Sequence, residues 1–238
     1  QILDVPWNET ATYAQVNVFN ITAMANEEEH LRKISRYGDS EGQLIWPAGI
    51  ALDSDDNVYI TDEWMNRVSV FTADGEFIKL WGKAGDGECE FNRPSGIAIA
   101  PDGTLLVVDS LNHKVQQLTA DGVFVSEFGR KGSGEGQFDS PWGITTDKEG
   151  FVYVADHKNH RVQKFTADGG YVMSFGSCGD GKGQLSRPSD VAVDPDGDVY
   201  VCDWANDRVQ VFSPDGRYLT SLVGDAQELA KWHREQVV

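Results

Sequence analysis

Residues 141–176 read PWGITTDKEGFVYVADHKNHRVQKFTADGGYVMSFG, and this stretch decides the fold because its pattern returns every 47 residues. Residues 143–147 are predicted to form a short strand. Three runs rich in β-branched and aromatic residues follow at 151–155, 161–165 and 171–175, with turn residues between them. Four strands joined by tight turns are typical of one blade of a β-propeller.

Four ladders of equivalent residues fix the period at 47. They are Pro47, Pro94, Pro141 and Pro188; Asp62, Asp109, Asp156 and Asp203; Arg67, Lys114, Arg161 and Arg208; and the Asp-Gly turns that begin at Asp74, Asp121, Asp168 and Asp215. A fixed repeat of this size is typical of solenoids, propellers and arrays. A helical solenoid would need an apolar period of 3.6, which the sequence lacks, and a β-sandwich would not repeat its sequence. The fold predicted is therefore all-β, a β-propeller.

The repeat also resembles a known family. The pattern Gly-x-Gly-Gln-(Phe/Leu)-x-x-Pro-x-Gly-Ile-x-x-Asp, followed by Val-Tyr-Val-x-Asp-x-x-Asn-x-Arg-Val-Gln-x-Phe, is complete in the third unit and varied in the others. It is similar to the NHL repeat over residues 38–224. The tripeptide that names the family is echoed at residues 112–114 and 159–161. The resemblance is to bacterial-type NHL proteins. It implies four-stranded blades and a six-bladed parent fold.

The ladders predict three segments. Residues 39–224 hold four complete blades, and residues 1–38 hold a partial N-terminal blade with strands at 15–19 and 31–38. Six blades of 47 residues would need more than the 238 residues present, so we expect an open arc of about five blades. A closed five-bladed ring is the rival arrangement.

The repeat pattern stops after Gly224. Residues 225–238 are predicted to form a short C-terminal helix, with Asp225 as N-cap and with Leu229 and Trp232 on one face. We expect the natural protein to be longer than this chain.

Charge and composition exclude some partners. The net charge is −18, from 38 acidic and 20 basic side chains, and such a field repels nucleic acid. No apolar run approaches the roughly 20 residues of a membrane-spanning helix, so no membrane association is predicted.

Three cysteines, Cys89, Cys178 and Cys202, give an odd count without a Cys-x-x-Cys pair. This pattern argues against a disulfide framework or a zinc site, and it favours a reducing compartment such as the cytoplasm over secretion. Cys202 takes the place of Ala155 inside a strand, so we expect it to be small, apolar and buried.

The aspartate and basic ladders are predicted to be structural. In each repeat the two residues lie five apart and flank the turn between the second and third strands. A carboxylate there can accept turn amide hydrogens and pair with the basic side chain. A catalytic group does not need four copies.

Ligand-binding candidates lie where the repeats differ. The inter-blade loops and the turns after the second strands share one face of a propeller, the face on which the channel opens. Exposed aromatic and methionine side chains in such places often mark contact sites. The candidates are Trp64, Met65, Leu111, Trp142, His157, His160 and Trp204. The alternative is that these side chains pack against the neighbouring inter-blade loop.

A metal candidate lies at the innermost strand of the fourth repeat. Three repeats read Pro-x-Gly, whereas the fourth reads Pro188-Ser189-Asp190. The Asp190 carboxylate near the axis could bind Ca²⁺ with carbonyl oxygens of the equivalent strands. The segment is also similar to one in peptidylglycine α-amidating lyases. In that family a histidine binds catalytic zinc at the position of Ser189, so the resemblance does not carry a zinc site here.

The function predicted is that of a non-catalytic scaffold. It binds a protein, peptide or small-molecule ligand through the inter-blade loop face, with no cofactor apart from possible calcium. The alternative is a calcium-dependent hydrolase or lyase at the channel mouth. RNA binding, known for some NHL proteins, is opposed by the charge. Unpaired blade edges allow a homo-oligomer to form.

Overall fold

Strands make up nearly all of the regular structure. The computed structural model describes residues 16–20 and 29–223, with side chains from residue 34 onward. Its helices are three single 3₁₀ turns, Ser110–Asn112, His157–Asn159 and Trp204–Asn206. None of the helices in these ranges has the length and apolarity needed to cross a bilayer.

A two-stranded antiparallel sheet comes first, followed by four antiparallel sheets of four strands. The first sheet pairs β1 (Val16–Asn20) with β2 (Glu29–Ile34). Blade A consists of β3 (Pro47–Leu52), β4 (Val58–Asp62), β5 (Arg67–Phe71) and β6 (Phe77–Trp81). The linker to the next blade contains the parallel pair β7 (Lys83–Ala84) and β8 (Glu90–Phe91).

The other three blades repeat this order, innermost strand first. Blade B consists of β9 (Pro94–Ile99), β10 (Leu105–Asp109), β11 (Lys114–Leu118) and β12 (Phe124–Phe128). Blade C consists of β13 (Ile144–Thr146), β14 (Val152–Asp156), β15 (Arg161–Phe165) and β16 (Tyr171–Phe175). Blade D consists of β17 (Pro188–Val193), β18 (Val199–Asp203), β19 (Arg208–Phe212) and β20 (Tyr218–Val223).

The propeller prediction is confirmed. All four strands expected in the third repeat are present within one residue or two of their predicted bounds, and the strands expected near residues 15–19 and 31–38 pair with each other. The helix predicted at 225–238 lies outside the described residues. The segment limits and the open arc stay predictions.

An apolar layer lies between each pair of successive blades. One side chain from each inter-blade linker is inserted into it, and each of these plug residues is at most 1% exposed. Each plug residue belongs to a separate buried cluster, which joins the facing sides of the two sheets. The plug residues are Leu44, Phe91, Phe138 and Leu185. Their spacing of 47 explains why the blades stack in register.

The innermost strands approach one another closely at three glycines. A methyl group built on Gly49, Gly96 or Gly143 would come within 3.0 Å of backbone atoms of the next blade. The Gly96 amide also donates a hydrogen bond of 2.8 Å to the Trp142 carbonyl. Glycine is therefore required at these positions by backbone proximity, not by an unusual φ angle.

Substitution Gly96→Ala is expected to lower the free energy of unfolding by about 1–3 kcal/mol, because the added methyl group collides with the Trp142 backbone. Urea denaturation measures the loss. Gly134→Ala is the matched control, since its methyl group would meet only the flexible end of Gln137, at 3.2 Å. A Gly96→Ala protein as stable as the control would contradict the close packing.

The aspartate ladder is structural, as predicted, and beyond its expected role in the turn it fastens each inter-blade linker to its blade. The buried Asp156 carboxylate accepts hydrogen bonds from the Asp139 amide at 2.9 Å and from Arg161 Nε at 2.9 Å. In blade D, Arg208 Nε donates to Asp203 at 2.7 Å. The Arg161 guanidinium also donates to linker carbonyls, so one side chain joins the turn and the linker.

The ion pair expected in every blade is present in only two of them. The Asp62 carboxylate accepts four backbone N–H groups instead, which occupies its lone pairs. Arg67 donates to linker carbonyls, among them that of Gln43 at 2.8 Å. The Lys114 ammonium pairs with Glu127 at 2.6 Å, since a lysine lacks the forked guanidinium that reaches both partners. The linker-fastening role is kept in all four blades.

The expectation that Cys202 is buried is wrong. Ala155 is fully buried because blade D covers its face of blade C. Cys202 occupies the equivalent position in blade D and is exposed. No sheet in the described part of the chain lies against that face of blade D.

Candidate functional site

A cavity of about 580 Å³ lies where the innermost strands of the four blades begin. Each blade contributes the residues around its ladder proline or glycine, so the cavity occupies the channel mouth. Its lining residues are Trp46, Pro47, Ala48, Gly49, Ile50, Glu63, Ser95, Gly96, Ile97, Trp142, Gly143, Ile144, Ser189, Asp190 and Val191. Such a cavity has the size of a small-ligand site.

Aromatic rings form two groups at this mouth. The Trp46 and Trp64 ring centroids are 6.3 Å apart, and both side chains are about half exposed. Across the mouth, the Trp142 ring stacks on His157 with centroids 4.1 Å apart and an interplanar angle of 19°. Trp204 lies 6.3 Å from Trp142 and completes this second group.

The ionisable side chains that line the cavity are both acidic. Asp190 occupies the ladder position that holds glycine in the other blades, and its Oδ1 accepts a hydrogen bond from the Val191 amide at 2.9 Å. Desolvation raises the pKa of Asp190, against the hydrogen bond from the Val191 amide, although the residue is exposed at the cavity. Desolvation likewise raises the pKa of Glu63, against the attraction of Arg93.

The two histidine candidates have different surroundings. His157 is buried beneath Trp142, its Nδ1 lies 3.2 Å from the Pro188 carbonyl oxygen, and desolvation lowers its pKa. His160 Nδ1 accepts a hydrogen bond from the Arg187 amide at 3.2 Å. His113 does the same with the Ser140 amide at 3.0 Å, so His160 has a linker-fastening role.

The structure brings some of the predicted site residues together. Trp142, His157 and Trp204 form one aromatic group, and Trp64 belongs to the other. Met65 and Leu111 are held by backbone hydrogen bonds, the first to the Asp62 carboxylate and the second to the Asn92 carbonyl. The alternative of packing against the inter-blade loop is supported for His160, whose side chain contacts the Arg187 amide of the linker. Ligand binding by Met65 and Leu111 stays a prediction.

Trp46 was missed by sequence reasoning. The signal was present, because the residue before each ladder proline differs among repeats: Trp46, Arg93, Ser140 and Arg187. The last three have positive φ angles of 51–55°, in the left-handed region, and Trp46 does not share this conformation. Its indole instead lines the channel mouth.

Calcium binding at Asp190 stays a prediction with little support from the geometry. Among the described residues, no three His, Cys, Asp or Glu side chains are grouped so that they could hold a metal ion. Two of the inner-strand carbonyls expected to complete the shell, those of Ser95 and Trp142, already accept hydrogen bonds. The Trp142 carbonyl, for example, accepts from the Gly96 amide at 2.8 Å and from the Ser95 hydroxyl at 2.9 Å.

Comparison with known families supports the repeat assignment. The NHL repeat family matches residues 138–165 and 185–212, within blades C and D and the linkers that precede them. A family described as a 6-bladed beta-propeller, DUF5128, matches residues 47–128, which span blades A and B. No curated protein sequence matches the chain.

Solved structures show the same fold at low sequence identity. A catalytically inactive histidine-to-alanine variant of virginiamycin B lyase from Staphylococcus aureus, with quinupristin, aligns with a TM-score of 0.63 at 16% identity, over 91% of this chain and 69% of that one. A streptogramin B lyase aligns at 0.57 and 18%, over 75% of this chain. Kuenenia stuttgartiensis hydrazine synthase aligns at 0.58 and 19%, over 76% of this chain and 49% of its own. The chain spans 55% of the streptogramin B lyase, less than two thirds of its length.

Proposed function

We propose, since the chain is an NHL-type β-propeller, that it is a non-catalytic scaffold whose channel-mouth cavity binds an organic cation. The cation is the ammonium or guanidinium group of a peptide side chain, or a small alkylammonium compound. The observation that carries the proposal is the lining itself. It combines two indoles, Trp46 and Trp142, with the carboxylates of Glu63 and Asp190.

Physical chemistry favours a cation over other ligands in this cavity. An indole face attracts a cation by about 0.5–1 kcal/mol at exposed sites and by about 2 kcal/mol when water is excluded. The half-buried Glu63 carboxylate gains more from a positive partner than a fully hydrated carboxylate does. The net charge of −18 also raises the local concentration of cations and repels anions.

Binding can be tested with choline and its neutral isostere 3,3-dimethyl-1-butanol, and with the methyl amide of α-acetyl-lysine as the peptide-like probe. We expect choline or the lysine amide to bind in isothermal titration calorimetry, and the neutral isostere to bind at least tenfold more weakly. Trp142→Ala should lower the affinity for the cation by about 5- to 30-fold, equivalent to about 1–2 kcal/mol of binding free energy. Leu219→Ala, in the outermost strand of blade D, serves as the control. Equal affinity for choline and its isostere would reject the cation site.

Lower pH should weaken the same complex. The raised pKa values of Asp190 and Glu63 mean that both carboxylates take up protons at a higher pH than usual, and a protonated carboxyl no longer attracts a cation. The charge of Arg93 lowers the pKa of Glu63, whereas the charge of Asp62 raises it. The Cys202 thiol also interacts with Asp190, whose charge raises the pKa of that thiol. Affinity should therefore fall as pH is lowered from 7.5 towards 5, whereas binding of the neutral isostere should not change.

A hydrolase or lyase acting at the same mouth is the second candidate. It is favoured by Asp190, whose raised pKa suits proton transfer, and by fold similarity to two lyases. Fold similarity alone does not carry an activity. Elemental analysis before and after chelator treatment, with melting temperature in parallel, separates the two. About one calcium per chain, lost together with stability, would favour the enzyme.

A further inference from the structure

One face of blade D differs from the equivalent faces of the other blades. In blade C the face is formed by Tyr153, Ala155, Val162 and Phe175, none more than 7% exposed, because blade D packs on it. The equivalent residues 47 positions later are half-buried or exposed, and Leu222 is 54% exposed. They are Tyr200, Cys202, Val209 and Leu222, and we refer to them as the end face.

At two positions, blade D has a different residue where the other blades have glycine, and both differences argue against another blade of the same geometry on the end face. Asp190 replaces the ladder glycine, and a Cβ at the equivalent position in blades A to C would collide with the backbone of the next innermost strand. Val223 replaces Gly82, Gly129 and Gly176, which turn the chain into the linker with φ of 89–101°. A β-branched residue avoids that conformation. The occupant of the end face is therefore not a blade in close backbone contact.

We propose that residues 224–238 of this chain cover the end face, with the Trp232 side chain packed against Tyr200, Cys202 and Leu222. The segment follows directly on β20, whose Leu222 is part of the face, so no long connection is needed. It carries Leu229, Ala230 and Trp232 in a stretch with helical spacing.

The 47-residue period supports Trp232 as the residue inserted there. The plug residues Leu44, Phe91, Phe138 and Leu185 are spaced by 47, and the next position in the series is Trp232. The glycines that shape the earlier linkers are missing from 224–238 except for Gly224. A helix that presents the Trp232 side chain agrees with the plug spacing and does not need the missing glycines. Its backbone would also stay farther from Asp190 than that of a strand.

Thiol labelling of the full chain tests the proposal, because Cys202 lies in the end face and Cys178 lies in an exposed linker. Iodoacetamide labelling followed by peptide mass spectrometry gives a separate rate for each cysteine. Trp232→Ala is expected to raise the rate at Cys202 by about fivefold or more and to leave Cys178 unchanged, since it removes the covering side chain. Lys231→Ala is the matched control and should change neither rate. Rates are compared between variants because the pKa of the Cys202 thiol is raised by desolvation and by Asp190.

A second variant gives a positive signature. In the full chain carrying Trp232→Cys, mild oxidation is expected to form an intramolecular disulfide with Cys202. Unchanged labelling in Trp232→Ala, together with no such disulfide, would overturn the proposal. Protection of Cys202 that disappears on dilution, with a dimer mass by light scattering, would also overturn it and assign the end face to a second copy of the chain.

Discussion

Substitution Asp156→Ala is expected to lower the free energy of unfolding by about 3–5 kcal/mol, the range found when one partner of a buried ion pair is removed. The Asp156 carboxylate is fully buried and accepts hydrogen bonds from Arg161, Asn159, Gln163 and the Asp139 amide. Alanine leaves these N–H groups without the carboxylate acceptor and removes its hydrogen bond to the linker at the Asp139 amide. Urea denaturation at pH 7 measures the loss.

Asp180→Ala is the control for this substitution, because Asp180 is an exposed aspartate of a linker. Surface substitutions of this kind usually change the free energy of unfolding by no more than about 0.5 kcal/mol. If Asp156→Ala cost no more than the control, the aspartate ladder would not be a structural device. A role in ligand binding would then have to be considered for it.

Phe138→Ala, which removes a plug residue, should lower the free energy of unfolding by about 3–5 kcal/mol, the usual range for phenylalanine in a core. Phe138 is fully buried between blades B and C, with its ring centroid 5.5 Å from that of Phe165 and 6.4 Å from that of Phe128. Alanine would leave a void between two sheets, which cannot collapse without shifting a whole blade. Thermal and urea denaturation measure the effect.

Val123→Ala removes a side chain that is 61% exposed in a hairpin turn of blade B and should be nearly neutral. A cost below about 1 kcal/mol for Phe138→Ala would show that the linker residue does not hold the blades together. The same comparison with Leu185→Ala would test the next plug residue, which lies between blades C and D.

The repeat made most of the fold predictable. Strand positions in the third unit were predictable because alternating β-branched residues and Asp-Gly turns are local signals. The structural role of Asp156 was also predictable, since a catalytic residue does not occur in four equivalent copies. The loss of the ion pair at Arg67 was not predictable. It depends on four backbone amides that reach Asp62 from its own turn and from the preceding linker.

The candidate site was predictable only in part. Trp142 and Trp204 were found because they vary among repeats, but Trp204 reaches Trp142 and His157 from the neighbouring blade. Trp46 and Glu63 line the same cavity as Asp190 although blades B and C lie between them in the chain. Such proximity follows from the rotation of each blade about the axis, which no local pattern encodes.

The sequence by itself determined the repeat unit, its four strands and the structural character of the aspartate ladder. These features depend on periodicity, turn chemistry and local apolar pattern, all of which are properties of contiguous residues. Only the tertiary structure decided which faces are covered. Ala155 and Cys202 occupy the same position in the repeat, yet blade D covers Ala155 whereas no described sheet covers Cys202, because coverage depends on the presence of a neighbouring blade.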